Sequence, residues 1–174
     1  GSSHRCPSPA APGGRARLSE SMPVLKRPGG CVKKAGASGN FWLLKSEPDD
    51  YSIDDMARER RTAWDGVRNA VARKHMRAME LGDRCLFYHS SCREVGVVGV
   101  VRVVRKAAPD PLDAKWVVVE VCHEATLSQP VTLAELRRHS GGALRGMALF
   151  VQPRLSVQPL SAKEFDFILS LSGR

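Results

Sequence analysis

Hydrophobic and polar positions divide the chain near residue 40. Before that point Pro, Gly, Ser, Ala and Arg dominate, and the apolar residues follow neither a helical nor a strand period. Such a segment buries too little apolar surface to offset the entropy lost on ordering, so we predict that residues 1–40 form a disordered basic tail. From Phe41 onward apolar runs alternate with turn residues, and a folded domain is expected to begin there.

The apolar runs predict five or six strands and several short helices. Valine-rich or continuous apolar runs mark strands at 41–44, 84–89, 95–106, 115–123 and 147–152, with 155–158 as a further pairing segment. Capping patterns and apolar spacing mark helices at 52–60, 69–80, 132–139 and from Ser161 onward. Because Gly96 and Gly99 interrupt a long valine run, we expect the sheet to bend. The predicted fold is α+β, a small, partly closed β-barrel with short surrounding helices.

The net charge of +9 is concentrated in the tail. Residues 1–40 hold seven Lys and Arg residues against Glu20 alone, so six of the nine charges lie there and three in 41–174. A mildly basic folded domain favours binding through a local pocket over binding through a broad electrostatic field. In the tail, Lys26-Arg27 and Lys33-Lys34 fit a nuclear-import signal, a phosphate-grasping arm or a solvated linker, and all three interpretations stay open.

Several classes of protein lack support in the sequence. No apolar run approaches the roughly 18 residues of a membrane span, so we expect no membrane partner. The catalytic motifs with a serine nucleophile, a phosphate-binding glycine loop or paired zinc histidines do not occur, so no catalytic residue, metal or cofactor is assigned. The five cysteines show no Cys-x-x-Cys spacing and are interpreted as reduced thiols of an intracellular protein.

The stretch Trp64–Asn69 carries the most distinctive candidate chemistry. Trp64 offers a face for stacking, Gly66 allows a tight turn beside Val67, and Arg68 and Asn69 offer directional hydrogen bonds to a nucleobase. The structural alternatives are a core tryptophan, a surface ion pair for the arginine and a helix N-cap for the asparagine. Cations that suit phosphates follow on the predicted helix, namely Arg73, Lys74 and Arg77.

Other polar candidates stand where predicted strands end. Ser46 and Glu47 follow the first strand, and the carboxylate either accepts from a base edge or pairs with an arginine. Alternation places Tyr88 and Ser90 on one side of their strand and His89 on the other, so one side is core and the other is free to line a pocket. Further along, Arg154 and Ser156 are polar positions within an apolar segment.

These segments, in this order, resemble the EVE domain family. The resemblance covers 41–171 and rests on Phe41–Pro48, Trp64–Asn69, Ala72-Arg73, Phe87–Ser90, Arg154–Pro159 and Glu164–Leu171. It implies a PUA-like pseudo-barrel, a nuclear protein, and a pocket for a modified base such as 5-hydroxymethylcytosine in DNA. The positions that match the family's motifs are Ser46, Glu47, Trp64, Gly66, Val67, Arg68, Asn69, Arg73, Tyr88, His89, Ser90, Arg154 and Ser156. The chain departs from the family at Ala70 and Val71, where Tyr and Gln are usual.

The leading hypothesis is a non-enzymatic reader of a modified base, with DNA favoured and RNA as the second target. The sequence leaves the oligomeric state open, and a monomer is favoured. Extruding a base costs a few kcal/mol and one stack returns about 1–3 kcal/mol, so base-edge and phosphate contacts must supply the rest. For a hydroxymethyl group the candidate hydrogen-bond partners are Ser46, Ser90 and Asn69. Two alternatives remain: a nucleic-acid enzyme that uses Glu47 or Asp65, and a protein-interaction module with an aromatic cage of Trp42, Trp64 and Tyr88.

Overall fold

The computed structural model describes residues 39–173, which contain six strands and five helices. The predicted basic tail, including both basic pairs, lies outside these residues apart from Gly39 and Asn40. The strands are β1 (Phe41–Ser46), β2 (Arg61–Trp64), β3 (Arg84–His89), β4 (Gly96–Pro109), β5 (Val117–Thr132) and β6 (Val157–Leu160). The helices are α1 (Ile53–Glu59), α2 (Ala70–Ala78), α3 (Leu133–Arg138), α4 (Ala148–Val151) and α5 (Ala162–Leu171).

All six strands form one mixed sheet in the order β2-β5-β4-β3-β1-β6. Strands β1 and β3 are parallel, whereas the other neighbouring pairs are antiparallel. Two strands separate β2 from β3, which in a flat sheet would place them about 14 Å apart. The ring centroids of Trp64 on β2 and Phe87 on β3 are nevertheless 5.5 Å apart. The sheet therefore curls strongly without closing into a barrel, and the α+β prediction is confirmed.

Gly99 shows why the sheet bends where it does. A Cβ at this position would lie 2.5 Å from the Ile53 Cδ1 atom and 2.9 Å from the Ala125 carbonyl oxygen. The pairing register between β4 and β5 also shifts between Val97 and Gly99. Only glycine allows α1 to approach β4 so closely, which confirms the bend expected from the interrupted valine run.

The two faces of the sheet bury separate clusters of side chains. Alternation along β1 sends Trp42 and Leu44 to one face, where α1 and α2 pack, and Leu43 to the other. On β3, Phe87 likewise lies on the first face and Tyr88 on the second. Helices α3, α4 and α5 cover the second face. Both faces are covered by helices, which explains the near-continuous apolar runs of these strands.

One predicted element needs correction, and one strand was missed. Residues 147–152 were predicted as a strand, but Ala148–Val151 is helical, and the place beside β1 is taken by Val157–Leu160. A short apolar run has no period that separates a strand from a buried helical turn. Strand β2 was not predicted, because three of its four residues are polar or small, and Trp64 ends this strand instead of lying in a loop.

Candidate nucleic-acid interface

The ends of β1 and β3 bring several candidate residues to one edge of the sheet. Their parallel register places Ser46 opposite His89 and Lys45 opposite Tyr88. The Ser90 backbone N–H donates to the Ser46 carbonyl over 2.9 Å. The Lys45 N–H donates to the Ser156 carbonyl, also over 2.9 Å, and this bond brings the segment before β6 alongside. Residues from three parts of the sequence therefore meet here.

Asn69 sits at the first turn of α2 and caps it. Its Oδ1 accepts hydrogen bonds from the backbone N–H groups of Val71 at 2.9 Å and Ala72 at 3.0 Å. Gly66 adopts a positive φ of 72°, which allows the tight connection from β2 to this cap. The N-cap interpretation of Asn69 is confirmed. Because the cap fixes the oxygen, the exposed amide group presents Nδ2 as a donor.

A cavity of about 430 Å³ lies between the start of α2 and the segment before β6. We call it the Asn69 cavity, and it is lined by Asn69, Val71, Gln152, Pro153, Arg154 and Leu155. Two of the predicted base-binding residues, Asn69 and Arg154, thus face one cavity. Gln152, Pro153 and Leu155 were not predicted, since a cavity formed between distant segments leaves no local pattern.

Gln158 holds the 152–155 wall of the Asn69 cavity in place. Its side chain is fully buried, and Nε2 donates to the carbonyl oxygens of Gln152 at 3.0 Å and Leu155 at 2.9 Å. The Lys45 Nζ atom donates to the Pro153 carbonyl over 2.6 Å from the other side. The wall is therefore fixed from both sides, and a ligand would meet it already ordered.

Three of the remaining strand-end candidates face other cavities. Tyr88 and Ser90 line a cavity of about 320 Å³, which we call the Tyr88 cavity. His89 lines a third cavity, of about 430 Å³, beside Cys92. This division follows the predicted alternation along β3. Glu47 is exposed and accepts from the Ser91 hydroxyl at 2.9 Å, while the Ser46 hydroxyl donates to the Tyr51 carbonyl at 2.7 Å.

Trp64 and Val67 are buried, with exposed fractions of 7% and 8%. The Trp64 ring meets the Phe87 ring edge to face at an interplanar angle of 82°. The structure thus places Trp64 in the cluster packed under α1 and α2, in agreement with its alternative interpretation as a core tryptophan. Its proposed stacking role remains a prediction.

Arg68 and Arg73 turn toward the connection between β4 and β5. The Arg68 Nη2 atom lies 3.1 Å from Oδ2 of the buried Asp110. The pKa of Asp110 is lowered, mainly by a hydrogen bond from the Leu112 backbone N–H and to a smaller extent by the charge of Arg68. Both guanidinium groups lie over the Trp116 ring, 5.6 and 5.3 Å from its centre. The structure shows the ion pair that was the alternative interpretation of Arg68. Lys74 and Arg77 are exposed on α2.

His89 makes the stability of the domain depend on pH. Its Nε2 accepts the N–H of Ile53, the first residue of α1, over 3.1 Å, and burial lowers the pKa of His89 below its ordinary 6.5. Burial also lowers the pKa values of His75 and His123. A lowered histidine pKa means that the unfolded chain takes up protons first, so stability should fall as pH drops below about 6.5. We expect a lower Tm at pH 5.5 than at pH 7.5.

His89→Gln isolates the contribution of this histidine. Glutamine supplies an oxygen that can accept the Ile53 N–H but does not titrate. The variant should therefore lose less Tm between pH 7.5 and pH 5.5 than the parent protein. An identical loss in both proteins would contradict the role assigned to His89.

Within residues 39–173, no group of three or more His, Cys, Asp or Glu side chains converges as a metal site would. None of the helices in this part of the chain is long and apolar enough to cross a membrane. The cysteines described there, Cys85, Cys92 and Cys122, form no disulfides.

Known proteins resemble this chain both in sequence and in fold. Residues 40–171 match the EVE domain. Thymocyte nuclear protein 1 of Mus musculus is 41% identical over 165 residues, covering 76% of this chain and 73% of that protein. A hypothetical protein from Leishmania major has a TM-score of 0.72 at 43% identity, covering 78% of this chain and 95% of its own. Human THYN1, solved in complex with DNA containing 5-methylcytosine, has a TM-score of 0.74 at 36% identity, covering 78% and 99%.

Proposed function

The chain belongs to the EVE domain family, and on that basis we propose that it is a non-enzymatic reader of a modified cytosine base in DNA. The structural relative solved with DNA containing 5-methylcytosine supports the choice of ligand. Relatives named as nuclear proteins, together with the basic pairs of the tail, support a nuclear location.

The observation that carries the proposal is the fixed amide of Asn69 at the mouth of a cavity. Its Nδ2 donor can meet one acceptor of an extruded modified cytosine, such as the oxygen of a group carried at C5. Val71, Pro153 and Leu155 give the same cavity apolar walls against which a ring or a methyl group can pack. The planar guanidinium of Arg154 adds a face for stacking or a donor for a phosphate. Amide, guanidinium and apolar groups suit binding, whereas acid–base catalysis needs a titrating group at the reacting atom.

Among cytosine modifications, we propose that the protein prefers 5-hydroxymethylcytosine. Burying a methyl carbon is worth about 0.8 kcal/mol, or roughly fourfold in affinity. A hydroxyl that meets a fixed polar partner discriminates more strongly, because its absence leaves that partner unpaired. Of the three candidate partners, Asn69 lines the Asn69 cavity, whereas Ser90 lines its neighbour and the Ser46 hydroxyl already donates to Tyr51. We therefore assign the hydroxyl contact to Asn69, and non-specific phosphate contacts to Arg73, Lys74 and Arg77.

Asn69→Ser tests this assignment without removing the helix cap. Serine retains a capping oxygen but loses the amide donor, so α2 should keep its start. Affinity for a modified oligonucleotide should fall about 5- to 150-fold, the cost of leaving a buried acceptor unpaired at about 1–3 kcal/mol. Fluorescence anisotropy with three oligonucleotides of one sequence, carrying cytosine, 5-methylcytosine or 5-hydroxymethylcytosine, measures the change.

Lys163→Gln is the control, since Lys163 is exposed on α5 and lines none of the three cavities. Its affinities should match those of the parent. Equal affinity of the parent for all three oligonucleotides, unchanged in Asn69→Ser, would overturn the proposed function.

A further inference from the structure

The Tyr88 cavity has polar groups that the proposed base site leaves unused. It opens between the ends of β1 and β3 on one side and the helices α3 and α4 on the other. Its apolar walls come from Val95, Leu133, Leu149, Phe150 and Pro153, and its polar groups from Lys45, Tyr88, Ser90 and Arg137. Pro153 also lines the Asn69 cavity, so the two cavities adjoin across one residue.

Two cations line this cavity, and no carboxylate does. Lys45 is half-buried, and its ammonium group donates to the neutral carbonyl of Pro153 instead of to an acid. Burial lowers the pKa of Lys45, because its charge is partly removed from water without a counter-ion. Arg137 takes part in none of the ion pairs formed within residues 39–173. The cavity thus holds positive charge that an anion would stabilise.

Tyr88 adds a polar group that also lacks a partner. The residue is only 2% exposed, and its hydroxyl makes no hydrogen bond with the part of the chain that the structure describes. Burial raises the pKa of Tyr88 to about 12, while the charge of Arg137 acts on the phenol in the opposite direction. Arg137 and Tyr88 line the same cavity, so both can contact a ligand bound there. This hydroxyl is not one of the two buried side-chain atoms that lack a partner in the described chain, so it reaches the cavity and is available to a ligand.

We propose that the Tyr88 cavity binds a backbone phosphate of the nucleic acid, with Lys45, Arg137 and the Tyr88 hydroxyl as donors to its oxygens. This inference rests on the proposed function, because it places the phosphate next to the nucleotide whose base enters the Asn69 cavity. Charged donors make the stronger hydrogen bonds to phosphate oxygens. Phosphate contacts position a nucleic acid without reading its bases. The site thus sets the register that delivers a base to Asn69.

Arg137→Gln in the full chain is the main test, because Arg137 is exposed on α3 and its loss should leave the fold intact. Affinity should fall about tenfold for the 5-methylcytosine and the cytosine oligonucleotide alike, leaving their ratio unchanged. The slope of log K against log salt should become shallower by about 0.9 for a duplex or about 0.7 for a single strand. Tyr88→Phe, which keeps the ring, should weaken both oligonucleotides without changing the slope.

The matched control is again Lys163→Gln, which should change neither the affinity nor the slope. An unchanged slope in Arg137→Gln would overturn the phosphate assignment, as would a loss of affinity confined to the modified oligonucleotide. Failure of the proposed function is a different result, in which the parent protein binds both oligonucleotides equally. In that case the slope change in Arg137→Gln would still report a phosphate at this cavity.

Discussion

Replacing Trp64 with alanine is expected to lower the free energy of unfolding by about 3–5 kcal/mol. The side chain is 7% exposed and meets Phe87 at a centroid distance of 5.5 Å. This contact joins an edge strand to the middle of the sheet, so its loss removes buried area and also loosens the curl. Urea denaturation of the variant and the parent protein, followed by circular dichroism, measures the difference.

Trp116→Ala is the matched control for this prediction. Trp116 is only partly buried, and its ring supports the guanidinium groups of Arg68 and Arg73 from outside the core. Cation–π contacts at such sites are worth about 0.5–1 kcal/mol each, so this variant should lose much less stability than Trp64→Ala. If both variants lost less than about 1 kcal/mol, the burial assigned to Trp64 would be wrong.

The burial of Trp64 affects how DNA-binding experiments on its variants are interpreted. A Trp64→Ala protein that fails to bind DNA could have lost a stacking face or a folded pocket. Asn69→Ser separates these outcomes, because it changes one donor at the cavity and keeps the cap. Trp64→Phe is the informative aromatic variant, since it retains a ring for the core while reducing the area available to a base.

Elements with local causes were predictable from the sequence. The helix starts at Ser52 and Ser161 were both predicted, and each is a capping box formed between residues three apart. Asn69 was correctly given N-capping as an alternative for the same reason. Alternation also predicted that Tyr88 and Ser90 share a side, although it could not say that they would line a cavity.

Features that depend on distant segments were not predictable. Arg68 pairs with Asp110 across a connection whose path the sequence does not reveal. The Asn69 cavity needs the wall at 152–155, which Gln158 holds in place from the following strand. Ala148–Val151 is helical and β6 takes the place beside β1, a choice made by packing and not by local pattern. Position in the three-dimensional structure thus assigns candidate residues to cavities, whereas motif position alone placed all of them in one site.

Asp83 is the clearest case of a residue whose importance comes from distant partners. Its carboxylate is 1% exposed and accepts three hydrogen bonds. Oδ1 accepts from the backbone N–H of Asn40 at 2.9 Å, and Oδ2 accepts from Trp42 Nε1 at 2.8 Å and from the Glu80 N–H at 2.9 Å. The side chain therefore joins the segment after α2 to the start of β1.

Asp83→Asn is expected to lower the free energy of unfolding by about 2–6 kcal/mol. The amide keeps one acceptor oxygen but replaces the other with an NH₂ group, which cannot accept from Trp42 and Glu80. The buried indole N–H of Trp42 and the partly buried N–H of Glu80 are then left without an acceptor, at about 1–3 kcal/mol each. Because the Asn69 and Tyr88 cavities contain neither donor, DNA affinity well below the Tm should stay close to that of the parent.

Asp113→Asn is the control, since Asp113 is exposed and its carboxylate accepts only the Lys115 N–H, at 3.0 Å, among the side-chain hydrogen bonds of the described chain. Its substitution should change stability by less than about 0.5 kcal/mol. A similar small change in Asp83→Asn would mean that water or a rotated side chain can replace the three hydrogen bonds. A large loss of DNA affinity in a folded Asp83→Asn protein would instead show that the start of β1 is coupled to the cavities at its end.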